Sequence, residues 1–343
     1  MILPAEFDAQ DFVQLTWPHR DTDWAYIYNK VVDCYCNMAR EIAKREPLLI
    51  VAQHPTEVVE ELKEHNVPLT NIRMFGCKTN DTWARDHGFI TCLHNGQKVL
   101  MDFQFNGWGM KFASNHDNQI NRNLHEAGAI EGIYTNCLDF VLEGGSIESD
   151  GKGTILTTTP CLMAPNRNDV MNKAEIEIQL CQFFNAERVL WLDHSWLAGD
   201  DTDGHVDTVA RFCSVDTIAY VQCLDQNDEH YAELHAMEEE LKAFRTLDGN
   251  PYNLIPLPMP RAIYDEDEVD ECGNPQRLPA TYANFLIMNS AVLMPTYGDE
   301  SNDKLAISQL QKAFPGKEII GINCEILVRQ HGSLHCCTMQ YPK

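Results

Sequence analysis

Cys336 stands in Gly332-Ser333-Leu334-His335-Cys336. Three distant segments give it company: Trp83-Ala84-Arg85-Asp86, Glu143-Gly144-Gly145 and Gly204-His205-Val206-Asp207. A thiol attacks as its thiolate, which a nearby base or positive charge brings within reach. The chain has thirteen cysteines. They are scattered without a Cys-x-x-Cys pair, so one taken blind is a small core residue. Gly332 and Ser333 set Cys336 apart, because they mark a close turn leading to it. Neighbouring Cys337 is expected on the opposite, packing face if the segment is a strand.

His205 is the candidate acid/base, since imidazole titrates near neutrality. Asp207, two positions on, shares its face if this is a strand. Asp86 and Asp207 suit a guanidinium, a planar, permanently charged fork that a carboxylate meets with two parallel hydrogen bonds. Asp86 could instead pair with adjacent Arg85, and Trp83 could wall a site or pack in the core. Glu143 could orient His205, hold its proton and favour a thiolate–imidazolium pair, or it could be a surface acid beside a turn.

The acidic stretch Asp200–Asp207 superficially suggests a calcium loop. With Gly204 sixth, however, Gly199 and Ala210 fall at the first and twelfth positions, where oxygen ligands are needed. His205 and Asp207 could bind zinc, but no His-Glu-x-x-His or paired Cys-x-x-Cys supports it.

These residues need a scaffold. The 343 residues carry a net charge of −25, with 44% hydrophobic and 22% charged residues. Such a balance argues against nucleic-acid and anionic-membrane partners, which need basic surface, and is compatible with a cationic substrate. No apolar run reaches the ~18–20 residues of a membrane span, and Met1–Gln10 lacks a signal-peptide pattern. The expectation is a cytoplasmic protein with reduced cysteines, compatible with a homo-oligomer.

Five amphipathic helices are predicted. Their stripes are Ile27, Val31, Cys34, Met38 and Ile42; Ile120 and Leu124 within Ser114–Ala127; Met171, Ala174, Ile178 and Cys181; Tyr231, Leu234, Met237, Leu241 and Phe244; and Ile307, Leu310 and Phe314. Ser301, Asn302 and Asp303 are cap candidates for the last. A short strand follows each helix, at Leu48–Val51, Ile133–Tyr134, Val189–Trp191, Leu254–Ile255 and Ile319–Ile320, and then come a loop and a hairpin. The hairpins pair Phe89–Cys92 with Val99–Phe105, Ser146–Glu148 with Thr154–Thr158, Thr208–Cys213 with Ile218–Gln222, and Phe285–Met288 with Val292–Pro295. Cys336–Met339 has no chain left for a partner, and Phe12–Thr16 could supply one and close a ring. The charge run Asp265-Glu266-Asp267-Glu268, with Asp270 and Glu271, reads as a solvated loop. No linker interrupts the chain, so a single domain over 1–343 is expected.

Asp86, Glu143, His205 and Cys336 each precede or open a hairpin of a different unit. Around a common axis, such loops meet at one mouth.

The set resembles the agmatine deiminase family of the guanidino-group-modifying (pentein) superfamily. The resemblance rests on Asp81-Thr82-Trp83-Ala84-Arg85-Asp86, Phe103–Gly109, Leu142–Ile147, Pro165-Asn166-Arg167, Asp201–Asp207, Tyr282–Phe285, Tyr297-Gly298-Asp299 and Leu334-His335-Cys336. It implies an α/β fold, a five-bladed propeller of pseudo-symmetric ββαβ units. It also implies hydrolysis of agmatine to N-carbamoylputrescine and ammonia through an amidino-cysteine, without metal or organic cofactor. Cys336 would be the nucleophile and His205 the acid/base. Asp86 and Asp207 would grip the guanidinium, Glu143 would complete the polar group, and Trp83 and Trp108 would wall the alkyl chain. Gln330-His331-Gly332-Ser333, Asp203 and Met110 depart from the family's usual Gly-Gly-Gly-Asn, Asn and Gly. Other readings are a deiminase of free or peptidyl arginine, with Arg211 or Arg329 meeting the carboxylate, a metal-dependent hydrolase, and a catalytically silent binding module.

Overall fold

The computed structural model describes residues 1–269, 273 and 275–343, the side chains of 266–268 excepted. Five sheets share one construction: an antiparallel pair of strands whose second member pairs in parallel with a third strand, reached through a helix. Four begin with hairpins. Ile90–His94 pairs with Gln97–Gln104 and then Ile133–Val141; Ile147–Ser149 with Thr154–Thr158 and then Arg188–Leu192. Ala210–Ser214 pairs with Thr217–Gln222 and then Asn253–Pro258; Leu286–Ile287 with Ala291–Thr296 and then Glu318–Asn323. In the fifth, Thr338–Pro342 pairs antiparallel with Gln10–Thr16, which runs parallel to Leu48–Ala52. The N-terminal strand thus supplies the partner that the last unit lacks, and both ends of the chain meet in one sheet.

The crossover helices are Tyr28–Ala43, Asp117–Glu126, Lys173–Phe184, Tyr231–Ala243 and Glu300–Ala313. Strands covered on both faces are apolar throughout, and Leu48–Ala52 is buried along its whole length. Most helix stripes lie where the periodicity puts them. In Lys173–Phe184, however, the buried face is Ile176, Leu180 and Phe184, while Ile178 is exposed. Apolar residues occupy most sides of this helix, so contact with its sheet, not periodicity, selects the face. Glu300–Ala313 is capped by Asp299, whose side chain accepts from the Asn302 amide at 3.3 Å, and Ser301, Asn302 and Asp303 lie in its first turn.

Two elements are additions to the expected pattern. Helix Pro55–Glu64 leads to a fourth strand, Ile72–Gly76, beside Leu48–Ala52 in the fifth of these sheets. Tyr264–Val269 pairs with Pro275–Arg277, so much of the charge run is strand and not loop. Asp270 and Glu271 lie outside the described residues. Among the described residues no helix is long and apolar enough to cross a membrane.

Candidate active site

Each candidate catalytic side chain sits on a short turn immediately before a hairpin or closing strand. Asp86 lies in helical turn Ala84–His87, Glu143 precedes Gly144–Ser146, and His205 precedes Val206–Thr208. Cys336 and Cys337 lie in the turn before Thr338–Pro342. His205 and Cys336 are therefore not on strands, and the alternation expected to bring His205 and Asp207 to one face does not apply. Tertiary folding joins them instead. A Cβ built on Gly145 would lie 2.6 Å from Nδ1 of His205, 2.8 Å from Oδ1 of Asp86 and 3.1 Å from Oδ2 of Asp207. Only a residue without a side chain lets three units converge there.

Asp86, Trp83, Trp108 and Cys336 line a cavity of about 560 Å³. Glu143, His205 and Asp207 lie fully buried beneath it. Asp86 accepts from Nε1 of Trp108 and the Gly145 amide, both at 3.0 Å, and its Oδ1 is 3.6 Å from Nδ1 of His205. Arg85 turns away to Glu6 at 2.7 Å and to Gln340, which removes the competing neighbour pair. Trp83 is both core and wall: Gly332 packs so tightly on its ring that a Cβ would approach to 2.3 Å. Asp81, also lining the cavity, accepts from Nε1 of Trp83 at 3.0 Å and of Trp24 at 2.9 Å and so aims the indole.

The segment carrying Trp108 is a left-handed turn. Gly107, Trp108, Gly109 and Met110 have φ of 71°, 55°, 81° and 67°. The departures Met110, Asp203 (φ 66°) and His331 (φ 63°) all hold left-handed backbone where Gly or Asn is the easier choice.

Cys336 donates toward Oδ1 of Asn284 at 3.4 Å and Oδ2 of Asp207 at 3.9 Å. Asn284 Oδ1 also accepts from the backbone N–H groups of His335 and Cys336, at 2.8 and 3.2 Å, which pins the turn. Cys337 points to the packing side, toward Tyr35 and Cys34.

Charge is concentrated and sheltered. Burial pushes Asp86 up to about 6, helped by Asp207 and Glu143 and opposed by His205. Burial opposes the His205 charge, yet Asp86, Cys161 and Glu143 raise it to about 10. Burial and then the Asp207 and Asp86 charges hold the Cys336 thiol well above its ordinary value. These surroundings favour a thiol at Cys336 beside a protonated His205. Burial also acts upward on Asp207, but His335, His205 and Arg211 hold it below its ordinary value.

Sequence reading assigned no role to four neighbours. Arg167 donates Nε to Glu143 at 3.0 and 3.2 Å and Nη1 to Asp203 at 2.6 Å. Cys161 adjoins His205 and Glu143, and His335 contacts Asp207. Asn284 pins Cys336. Asn284, Arg167 and His335 stand inside motifs already noted, which is the signal that was available.

The acidic stretch is not arranged as a ligand set. Asp200 accepts from the Thr202 and Gly204 amides, Asp203 from Arg167 and Lys111, and Asp207 from His335. Glu143, Cys161 and His205 form a compact donor group, but Arg167 already occupies the carboxylate. Arg211 is fully buried on Glu148 and Glu6, and Arg329 pairs with Asp265 at 3.3 Å. Neither lines the cavity, and among the described residues no Lys or Arg does.

Residues 2–342 match the sequence profile of Porphyromonas-type peptidyl-arginine deiminases. A Porphyromonas gingivalis structure named "Putative Arginine Deiminase" is 50% identical with a TM-score of 0.92, covering 100% of this chain and 98% of that one. A C. jejuni agmatine deiminase with substrate bound, a cysteine-to-serine variant, is 38% identical with a TM-score of 0.89, covering 100% and 96%. An Enterococcus faecalis relative named "Putative agmatine deiminase" is 33% identical over 99% of this chain and 95% of its own. The chain belongs to the Porphyromonas-type peptidyl-arginine deiminase family and is a deiminating, amidine-hydrolysing enzyme.

Proposed function

We propose that the protein is an agmatine deiminase, hydrolysing agmatine to N-carbamoylputrescine and ammonia within one catalytic domain. Its five sheets would stand as blades around the site. Their shared construction and the pairing of the chain's two ends support this closed arrangement.

The character of the cavity carries the substrate reading. Among its lining residues Asp23, Tyr26 and Phe112 are exposed and Asp201 half-buried, whereas Trp83, Trp108, Asp86 and Cys336 are buried. Among the described lining residues no Lys or Arg is present to meet a carboxylate. A chain with a cation at each end and an apolar middle fits this order. Asp201 is the acid suited to the distal ammonium, since Asp200 faces its own loop.

Asp86 and Asp207 grip the guanidinium. Its positive charge enters beside Cys336 and offsets the two carboxylates that oppose thiolate formation, so the thiol releases its proton to solvent as substrate binds. The thiolate attacks the guanidinium carbon. The His205 imidazolium gives its proton to the departing nitrogen, which leaves as ammonia, and the carbon remains on sulfur as an amidino-cysteine. Neutral His205 then takes a proton from water, the hydroxide adds to that carbon, and the C–S bond breaks as the added O–H gives its proton to sulfur, releasing the neutral ureido product and restoring the thiol. Glu143 stabilises His205 whenever it carries the proton, and the fixed carboxylates need no rearrangement as charge moves.

An ammonia-release assay comparing agmatine, arginine and an arginyl peptide tests the proposal, with Cys336→Ala as the folded control. Agmatine should be strongly preferred and the Cys336→Ala protein silent. Preference for arginine or the peptide, or turnover by the variant, overturns it.

A further inference from the structure

Asp207 is held by a group of residues that the chemistry above does not use. Its Oδ2 lies 2.7 Å from Nδ1 of His335, and both side chains are buried. An ionised carboxylate only accepts hydrogen bonds, so Nδ1 carries the hydrogen in this contact. Oδ1 of Asp207 is buried without a hydrogen-bond partner among the described residues. Such an atom is costly unless a ligand completes it.

At the other end of the ring, Nε2 of His335 meets Glu6 at 2.9 Å and Nη2 of Arg211 at 3.0 Å. Glu6 also accepts from Arg85 at 2.7 Å and from Gln340 at 3.0 Å. Arg211 is fixed by Glu148 and by the carbonyls of Ala283 and Phe285, at 3.1 and 2.7 Å. Residues from the two ends of the chain and from its middle units therefore clamp one imidazole, which can neither rotate nor exchange its two nitrogens without breaking several bonds.

We propose that His335, anchored at Nε2 by the Arg211 N–H that Glu6 and Glu148 hold in place, is the positioning residue that aims Asp207: Nδ1–H occupies Oδ2 and leaves Oδ1 for the guanidinium. The proposal rests on the guanidinium reading above. It gives Glu6, more than three hundred residues from Cys336, a part in substrate recognition. It also explains how a carboxylate so close to the thiol stays ionised: Oδ2, the oxygen 3.9 Å from the Cys336 sulfur, already accepts from the His335 ring.

Two amide substitutions separate the ends of the ring. The Asn side-chain nitrogen can overlay Nδ1, whereas that of Gln overlays Nε2. His335→Asn retains the donor to Asp207, and His335→Gln retains only the Glu6 side. The readout is labelling of Cys336 by cationic chloroacetamidine against neutral iodoacetamide, with the thermal midpoint checking the fold. His335→Gln should lose chloroacetamidine reactivity about ten- to a hundredfold, the factor expected for one hydrogen bond to a charged group. Iodoacetamide reactivity should stay near that of the wild type. His335→Asn should restore most of the preference for the cation. Equal losses in both variants, or none in His335→Gln, overturn the proposal.

Neutron diffraction on the wild-type enzyme gives an answer independent of either variant. Deuterium on Nδ1 of His335 is expected; deuterium on Oδ2 of Asp207 instead overturns the assignment. If wild-type Cys336 ignores chloroacetamidine and agmatine yields no ammonia, the guanidinium reading itself falls and the relay with it. A wild type that reacts beside a His335→Gln protein that reacts equally well sinks the relay alone.

Discussion

Nε1 of Trp108 donates to Oδ2 of Asp86 at 3.0 Å, from a residue whose own backbone is left-handed at φ 55°. A bulky residue held there costs on the order of 1–3 kcal/mol, which the surrounding structure must supply. The indole gains a position that serves two purposes, closing the apolar wall and steadying a carboxylate. Trp108→Phe keeps the wall and removes a bond that holds the Asp86 carboxyl down. We expect kcat/KM for agmatine to fall about tenfold or more and its acid limb to move to higher pH. An unchanged acid limb would show that the indole acts by packing alone.

In the wild type, Asp86 is pushed up to about 6, chiefly by burial. The ionised form is the one that grips a cation, so kcat/KM should fall as pH drops through about 6. A limb near the ordinary aspartate value of about 3.9 would remove Asp86 from control of substrate capture.

Gly145→Ala places a methyl group against His205, Asp86 and Asp207 at once. The three groups must separate by a sizeable fraction of an ångström. We expect activity to drop by about a hundredfold, as small misplacements of reacting groups do, while circular dichroism shows the fold retained. Near-normal turnover would mean that the three side chains need not converge there.

Arg167 is the counter-charge of buried Glu143. Arg167→Met leaves that carboxylate alone and should cost about 3–5 kcal/mol of stability, read by denaturant unfolding. Adding Glu143→Gln should recover part of the loss, because the uncompensated charge is gone. Additive losses in the double variant would rule out the pairing as the cause.

Asp201→Asn should raise KM for agmatine and leave an alkylguanidine without the distal amine unaffected. An equal effect on both substrates would place the ammonium elsewhere.

Much of this arrangement was readable in the chain. Hydrophobic periodicity marked the helices, the short apolar runs marked the strands, and turn residues marked the hairpins, because these signals act over a few neighbouring residues. The repeated unit and the chain-end pairing of Gln10–Thr16 with Thr338–Pro342 followed from counting strands. Cys336, His205, Glu143, Asp86 and Asp207 stood out because each combines reactive chemistry with a turn at the same place in a unit.

Other features depended on packing between units. Ile178 and Ile176 are equally apolar, and only the sheet decides which is covered. His205 and Asp207 meet across Gly145 through a turn, and not by the alternation a strand there would have given. The sequence by itself determined the repeating units and the chemical groups that open them, since local patterns encode both. Only the tertiary structure decided that Arg167 holds Glu143, that Arg85 turns to Glu6, and that His335 supports Asp207. Those contacts join residues far apart in the chain, and hydrogen bonds between them form only where the packed units bring their atoms within about 3 Å.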